Sequence, residues 1–251
     1  MKLYYTESEP PENLKPFFTE MAKFEVKERK KLDFKLLPDS TSSLLIIYNG
    51  NTQKLSAKMA GYRDKKVGLN LPENSYLLLL KFRPEVVYLL HETDIDRFKN
   101  KLVAFSGIKF TDSNIPDKEL MKIISEYFER QNFNFSSVKK YVTDAINLIG
   151  IKKGIYKAGE LISDANVSLR QFQREFKKVT GFSPKEFSSI VRINSLTSEL
   201  IKENVSLRDI FFNFGYYDQA HFNKEFKKIV GANPTLFESR QKLIKYLKPS
   251  N

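Results

Sequence analysis

The sequence contains an internal repeat in its C-terminal half. Residues 172–187, FQREFKKVTGFSPKEF, recur after a fifty-residue shift as residues 222–237, FNKEFKKIVGANPTLF. Eight of the sixteen paired positions are identical, whereas ordinary residue usage gives about one identity by chance. The identical residues of the first copy are Phe172, Glu175, Phe176, Lys177, Lys178, Gly181, Pro184 and Phe187. Such a repeat predicts two copies of the same supersecondary unit.

The pattern of each copy predicts two helices joined by a tight turn. The boundaries are 155–180 for the first unit, 207–230 for the second and 184–202 for a long helix between them. A short polar residue precedes three of the predicted helices, and a glycine follows the second helix of each unit, as is typical of helix ends. The predicted caps are Ser168, Ser206 and Asp218, and the terminating glycines are Gly181 and Gly231. This is the helix-turn-helix arrangement.

The second helix of each unit is amphipathic at about 100° per residue. An aromatic stripe predicts its core face, with Phe172, Phe176 and Val179 in one copy and Phe222, Phe226 and Ile229 in the other. The opposite face carries basic and amide residues, which suit a helix lying in a DNA major groove. Lysines late in each helix are better placed for DNA phosphates, and these are Lys177, Lys178, Lys227 and Lys228.

Residues 138–251 resemble the DNA-binding domain of AraC/XylS-type transcriptional regulators. The second copy carries Ile210, Gly215, Tyr216, Asp218, Gln219, Ala220, His221, Phe222, Phe226, Lys227, Gly231 and Pro234, with Arg240 close behind. The first carries Ser168, Phe172, Arg174, Phe176, Gly181, Ser183, Pro184 and Lys185. The resemblance implies two helix-turn-helix modules, joined by a linker helix, that enter successive major grooves about 34 Å apart.

The resemblance also implies which residues contact bases. They are Arg170, Gln173 and Arg174 in the first unit and Gln219, His221, Asn223 and Lys224 in the second. Two positions depart from the family pattern. Phe211 stands where a small residue is usual, which implies a reshaped core in the second unit. Ala220 replaces a small hydroxyl residue and would lose a polar contact. Because Arg170 pairs with Ala220 in the repeat, and Gln173 with Asn223, the two units are expected to read an asymmetric site.

The first 110 residues favour β-structure. Apolar runs at 33–37 and 44–48, with a polar turn at 38–43 between them, predict a hairpin, and 76–82 predicts another strand. The whole region is expected to be antiparallel, with a barrel as one arrangement. Residues 111–137 are expected to be a helical linker, with a helix after Pro116 and a break at 131–137. The next helix is predicted at 138–149, with Ser137 as its cap. The predicted fold class is therefore α+β, with a β-rich domain at 1–110 and an all-α domain at 138–251.

This β-rich region loosely resembles the N-terminal domain of some regulators in the family. The similarity rests on residues 37–39, the apolar run 44–48, Gly61 and residues 81–84. It implies a domain that senses a small-molecule effector or mediates self-association as a homodimer.

Composition narrows the function further. The formal charge is +12, and residues 138–251 hold 20 Lys and Arg against 11 Asp and Glu, a net +9. A basic C-terminal half favours a polyanionic partner such as double-stranded DNA, although a lysine-rich surface alone has the same charge. The chain has no Cys, which excludes thiol chemistry and fits a reducing cytoplasm, and no secretory signal or membrane segment is expected.

With only His91 and His221 present, we expect no metal site, no cofactor and no enzymatic activity. A contact of His221 with DNA is preferred to a purely structural role. Together these features predict a cytoplasmic bacterial DNA-binding regulator. Activation through RNA polymerase is implied by the resemblance alone. The alternatives are a nonspecific architectural DNA-binding protein and a protein-interaction adaptor on the same fold.

Overall fold

The computed structural model describes residues 3–26, 32–91, 95–112, 115–163, 165–203 and 210–234. Among them, a β-rich part precedes a helical part, which confirms the predicted fold class. The strands are β1 (Leu3–Ser8), β2 (Phe18–Val26), β3 (Leu32–Leu36), β4 (Ser43–Asn49), β5 (Lys54–Ala60), β6 (Val67–Leu71), β7 (Tyr76–Phe82) and β8 (Leu102–Ala104). The α-helices are α1 (Pro84–His91), α2 (Asp117–Glu129), α3 (Lys140–Ile151), α4 (Leu169–Thr180), α5 (Pro184–Glu203) and α6 (Gln219–Val230). Short 3-10 helices lie at Ile95–Phe98, Phe135–Ser137, Ala158–Leu161 and Phe211–Phe214.

The described strands form two antiparallel sheets. The larger has the order β1-β2-β7-β4-β5-β8, and the smaller contains β3 and β6. Strand β4 lies inside the larger sheet and is buried on both faces. Leu45 and Ile47 join the apolar cluster under the small sheet. Leu44 and Ile46 join the cluster that continues into the helical part. This two-sided burial explains why the strand has an uninterrupted apolar run.

The predicted hairpin between 33–37 and 44–48 is wrong. Strand β3 pairs with β6, with Phe34 opposite Leu69, whereas β4 pairs with β5 and β7. The intervening polar residues Ser40, Thr41 and Ser42 are buried. They carry the chain from one sheet to the other and do not form a surface turn. The described strands thus form two separate sheets, and the barrel arrangement is wrong as well.

Helix α2 follows Pro116 as predicted, and it packs across the larger sheet through Phe128, whose ring centroid lies 5.0 Å from that of Phe18. The next helix differs from the prediction at both ends. It begins at Lys140, because Val138 is extended and the Ser137 hydroxyl donates to the Asn134 carbonyl. It also continues through Gly150 to Ile151. The expected cap at Ser137 and the expected stop at Gly150 are therefore wrong.

The two parts of the molecule share a core. One continuous apolar cluster extends from the face of the larger sheet through α2 and α3 to α6. Helix α1 packs on α4, and the Tyr62 ring lies edge-on to Phe182 at 4.9 Å. The helical part is therefore held against the β-rich part. Of the described helices, none combines the length and apolarity needed to span a bilayer.

Candidate DNA interface

Helix α4 begins and ends where the sequence predicts. The Ser168 hydroxyl accepts a hydrogen bond from the Gln171 amide at 3.2 Å, which satisfies one of the free donors of the first turn. At the other end Gly181 is left-handed, with φ 78°, and its amide donates to the Lys177 carbonyl. Phe172, Phe176 and Val179 are buried, which confirms the aromatic stripe as core.

Helix α6 repeats this construction. The Asp218 carboxylate accepts from the His221 amide at 2.7 Å, and Gly231 ends the helix with φ 74°. The stripe of Phe222, Phe226 and Ile229 is buried. The other predicted cap, Ser206, lies outside the described residues, as do residues 207–209 and Arg240.

Burial of the two stripes leaves the predicted DNA faces in solvent. Exposed on α4 are Arg170, Gln173, Arg174 and Lys177, and exposed on α6 are Gln219, Ala220, His221, Lys224 and Lys227. Asn223 differs, because it is half-buried and its side-chain oxygen is enclosed by protein. The Arg174 guanidinium lies 3.3 Å from the Glu175 carboxylate on the same helix. The structure thus brings most of the predicted base-contacting residues onto two surfaces with few acidic groups.

Two of the four predicted phosphate-binding lysines lie at the boundary with the β-rich part. The Lys178 ammonium is 5.5 Å from the Tyr88 ring centroid, and its contact with Tyr88 raises the pKa of Lys178. Lys228 lines a cleft that Asp64 also lines. All four lysines are exposed, and Lys177 and Lys227 lie one position earlier in each helix, three residues after Arg174 and Lys224 and on the same helical face.

The core of the second unit contains two further buried aromatic residues, Phe211 and Tyr216. Phe211 is buried, and its ring stacks on Phe222 with 5.4 Å between centroids, so the large residue fills space inside this unit. Tyr216 is 2% exposed, and the Arg192 guanidinium of α5 lies 5.4 Å from its ring centroid. Burial, reinforced by the neighbouring Glu225 carboxylate, raises the pKa of Tyr216. These contacts position α6 on α5.

The long helix between the units is capped by a feature that sequence reasoning missed. The Ser183 hydroxyl accepts from the Glu186 amide, and the Glu186 carboxylate accepts from the Ser183 amide at 2.9 Å. This is a capping box, and a Ser followed three residues later by a Glu is its signal in the sequence. The hydrogen bond from Ser183 lowers the pKa of Glu186.

A second missed residue lies beside the predicted DNA face. Tyr217 immediately precedes the Asp218 cap and is 90% exposed, while its neighbour Tyr216 is buried. Leu169, at the first position of α4, is 50% exposed. Both residues lie at the start of a recognition helix and flank its exposed face.

A family model described as "Helix-turn-helix domain" matches residues 161–240, which agrees with this geometry. The solved structures include ToxT from Vibrio cholerae O395, with 11% identity over 95% of this chain and 98% of that chain, at a TM-score of 0.48. A second crystal form of Vibrio cholerae ToxT has 12% identity over 95% and 99% of the two chains, at a TM-score of 0.47. No curated protein matches the sequence significantly.

The match at 161–240 covers both capped recognition helices and the linker helix between them. Such a domain is the DNA-binding part of transcription regulators. Residues 161–240 are therefore a helix-turn-helix domain of the AraC type.

Proposed function

We propose that the protein is a sequence-specific transcription activator that reads two successive major grooves through α4 and α6. The observation that carries the proposal is the duplicated recognition helix. Both copies are capped at both ends, both bury an aromatic stripe, and both expose a basic and amide face. A helix of this kind fits the major groove, where Arg, Gln and Asn distinguish base pairs.

The helix between the two readers supports a two-groove arrangement. Helix α5 has 20 residues, which corresponds to about 30 Å of length. Major grooves on one face of DNA recur about every 34 Å. Because a continuous capped helix is stiff, α5 is a suitable spacer for two readers of one DNA face.

The outward faces of the two readers are different, so the proposed site is asymmetric. Arg170 is replaced by Ala220 in the second copy, and Gln173 by the half-buried Asn223. An arginine suits guanine, whereas an alanine offers only a contact to the thymine methyl group. We expect the box read by α4 to be richer in guanine than the box read by α6.

The proposal is tested by selecting bound sites from random double-stranded DNA with the purified protein. The expected result is a motif with two different boxes whose centres lie about one helical turn apart. Recovery without a motif, combined with salt-dependent binding, would support the architectural alternative. Absence of any salt-dependent binding would support the adaptor alternative. Transcription in vitro from a promoter with the selected site then tests activation, and a fall in transcript would refute it.

We propose further that the β-rich part controls DNA binding. A cavity of about 680 Å³ lies where this part meets the helices, a size within the range of small-molecule sites. Its lining includes Lys81, Arg83, Asn147, Phe187, Asn194 and Ser195. An occupant would contact both parts of the molecule at once, which is what a small-molecule effector requires.

Filling the cavity tests this control without a known ligand. Ser195→Trp projects a large side chain into it, and Ser136→Trp places the same side chain on an exposed surface. The first variant should change DNA affinity and the second should not. Equal affinity in both, with unchanged helical content, would reject the cavity as the control site. Control by self-association is the alternative, and sedimentation velocity at rising protein concentration measures it.

A further inference from the structure

The loop at residues 61–66, between β5 and β6, is held in one conformation from both sides. On one side Arg63 is 3% exposed, and its side chain donates to the carbonyls of Leu37 and Gly61 at 2.8 and 3.0 Å. Its guanidinium lies 3.6 Å from the Asp39 carboxylate. A buried arginine with this many partners fixes the backbone around it, because losing any partner would leave a buried charge unsatisfied.

The other side of the 61–66 loop is fixed by Asn100. The Asn100 side-chain oxygen accepts from the amides of Asp64 and Lys65 at 3.0 and 3.1 Å, and its nitrogen donates to the Asp64 carboxylate at 2.7 Å. The Lys99 ammonium lies 2.7 Å from the same carboxylate. At Gly61 a Cβ atom would lie only 1.8 Å from the Phe98 carbonyl oxygen, so the backbones are in direct contact.

This fixed loop meets the C-terminal end of α4 through Tyr62. A Cβ atom on Gly181 would lie 2.2 Å from the Tyr62 ring, so only glycine permits this approach. The same ring contacts Phe182, and the Tyr62 hydroxyl donates to the Asp96 carboxylate. Tyr62 is 2% exposed and is therefore locked between the β-rich part and the end of the first reader.

The loop meets the C-terminal end of α6 through Lys66. The Lys66 ammonium lies 3.4 Å from where a Cβ atom on Gly231 would stand. Partial burial and the nearby Lys35 charge lower the pKa of Lys66. The end of the Lys66 side chain is therefore packed against the C-terminal end of α6. Gly181 and Gly231 are equivalent positions of the repeat, so one loop contacts the same point of both recognition helices.

We infer that the 61–66 loop fixes the mutual orientation of the two recognition helices by holding their C-terminal ends. The inference rests on the proposed function only because it takes α4 and α6 to be the helices that contact DNA. The linker helix sets their separation along the DNA, and the loop sets how the two helices are turned relative to one another. The β-rich part thereby controls which spacing of the two boxes the protein accepts.

The orientation is measured directly in the DNA-free protein. Because the chain contains no Cys, spin labels on Gln171→Cys and Ala220→Cys report one distance between exposed positions of α4 and α6. Pulsed electron paramagnetic resonance should give one narrow distance distribution for the doubly labelled protein that carries no further substitution. Lys66→Ala should broaden or shift it by releasing α6, and Tyr62→Ala should do so by releasing α4. Lys65→Ala, an exposed neighbour of Lys66, is the matched control and should leave the distribution unchanged.

An unchanged distribution in Lys66→Ala with full helical content would overturn the inference, even if Tyr62→Ala fails to fold. This distance is measured without DNA, so a failure of the inference can be distinguished from a failure of the proposed function. If random-site selection finds no motif but Lys66→Ala still broadens the distribution, the proposed function fails and the inference stands. Where a two-box motif is found, Lys66→Ala should also lose discrimination against boxes moved 2 base pairs apart (about 7 Å at roughly 3.4 Å per pair). If Lys66→Ala discriminates against the displaced boxes as well as the unsubstituted protein does, the result contradicts the proposed role of the 61–66 loop.

Discussion

The duplicated cap glycines allow one prediction with an internal control. Gly181 and Gly231 have the same local conformation, with φ of 78° and 74°, and each ends a recognition helix. Their surroundings differ. A Cβ atom at Gly181 would lie 2.2 Å from the buried Tyr62 ring, whereas one at Gly231 would lie 3.4 Å from the end of Lys66, an ordinary van der Waals distance. Alanine at each position therefore pays the same backbone cost but a different steric cost.

The expected losses in the free energy of unfolding follow from the backbone cost and the steric cost. An L-residue in the left-handed conformation costs about 1–2 kcal/mol, and this is the whole expected loss for Gly231→Ala. Gly181→Ala adds the cost of an overpacked core, about 1–3 kcal/mol, because the Tyr62 ring is locked in place. We therefore expect the free energy of unfolding of Gly181→Ala to be about 1–3 kcal/mol lower than that of Gly231→Ala, because of this overpacking.

Urea denaturation followed by far-ultraviolet circular dichroism measures both losses. Adding Tyr62→Ala should remove the steric term, so that Gly181→Ala costs no more in that background than Gly231→Ala does in the parent. Equal losses for the two single variants, or a Gly181 loss that Tyr62→Ala does not reduce, would refute the proposed packing of the 61–66 loop on α4.

Three further predictions concern the DNA face and the linker helix. Arg174→Ala should lose about 1–3 kcal/mol of discrimination at one base position, measured by fluorescence anisotropy on singly substituted sites; an equal loss on all sequences would contradict base reading. Lys177→Ala should lower the salt dependence of binding by about one unit of slope, whereas Lys178→Ala should lower it less, because Tyr88 holds that ammonium. The pKa of Glu186 is lowered from its ordinary 4.5 by Ser183; its contribution to stability is therefore present above pH 4.5 and is lost as the pH falls through the lowered pKa. Glu186→Gln should flatten the acid limb of a thermal-melt profile, and an unchanged limb would contradict this.

Local sequence determined helices α4 and α6 themselves. The caps Ser168 and Asp218 and the glycines Gly181 and Gly231 act within a few residues, so their positions in the chain suffice to place the ends of α4 and α6. The aromatic stripes follow from helical periodicity, and their burial exposes the opposite face as a direct consequence. For this reason the predicted base-contacting residues were found largely in solvent, with the half-buried Asn223 as the exception.

Contacts between distant segments decided the rest. An apolar run identifies β4 as a strand but does not specify its partners, because strand pairing depends on segments far away in the chain. The hairpin prediction failed for that reason. The position of Lys178 against Tyr88, and the approach of Tyr62 and Lys66 to equivalent ends of the two readers, likewise join residues more than 80 positions apart. The repeat alone determined that there are two capped amphipathic helices with unlike outward faces. Only the tertiary structure showed that one loop of the β-rich part contacts both, because packing between domains leaves no periodic signal in a sequence.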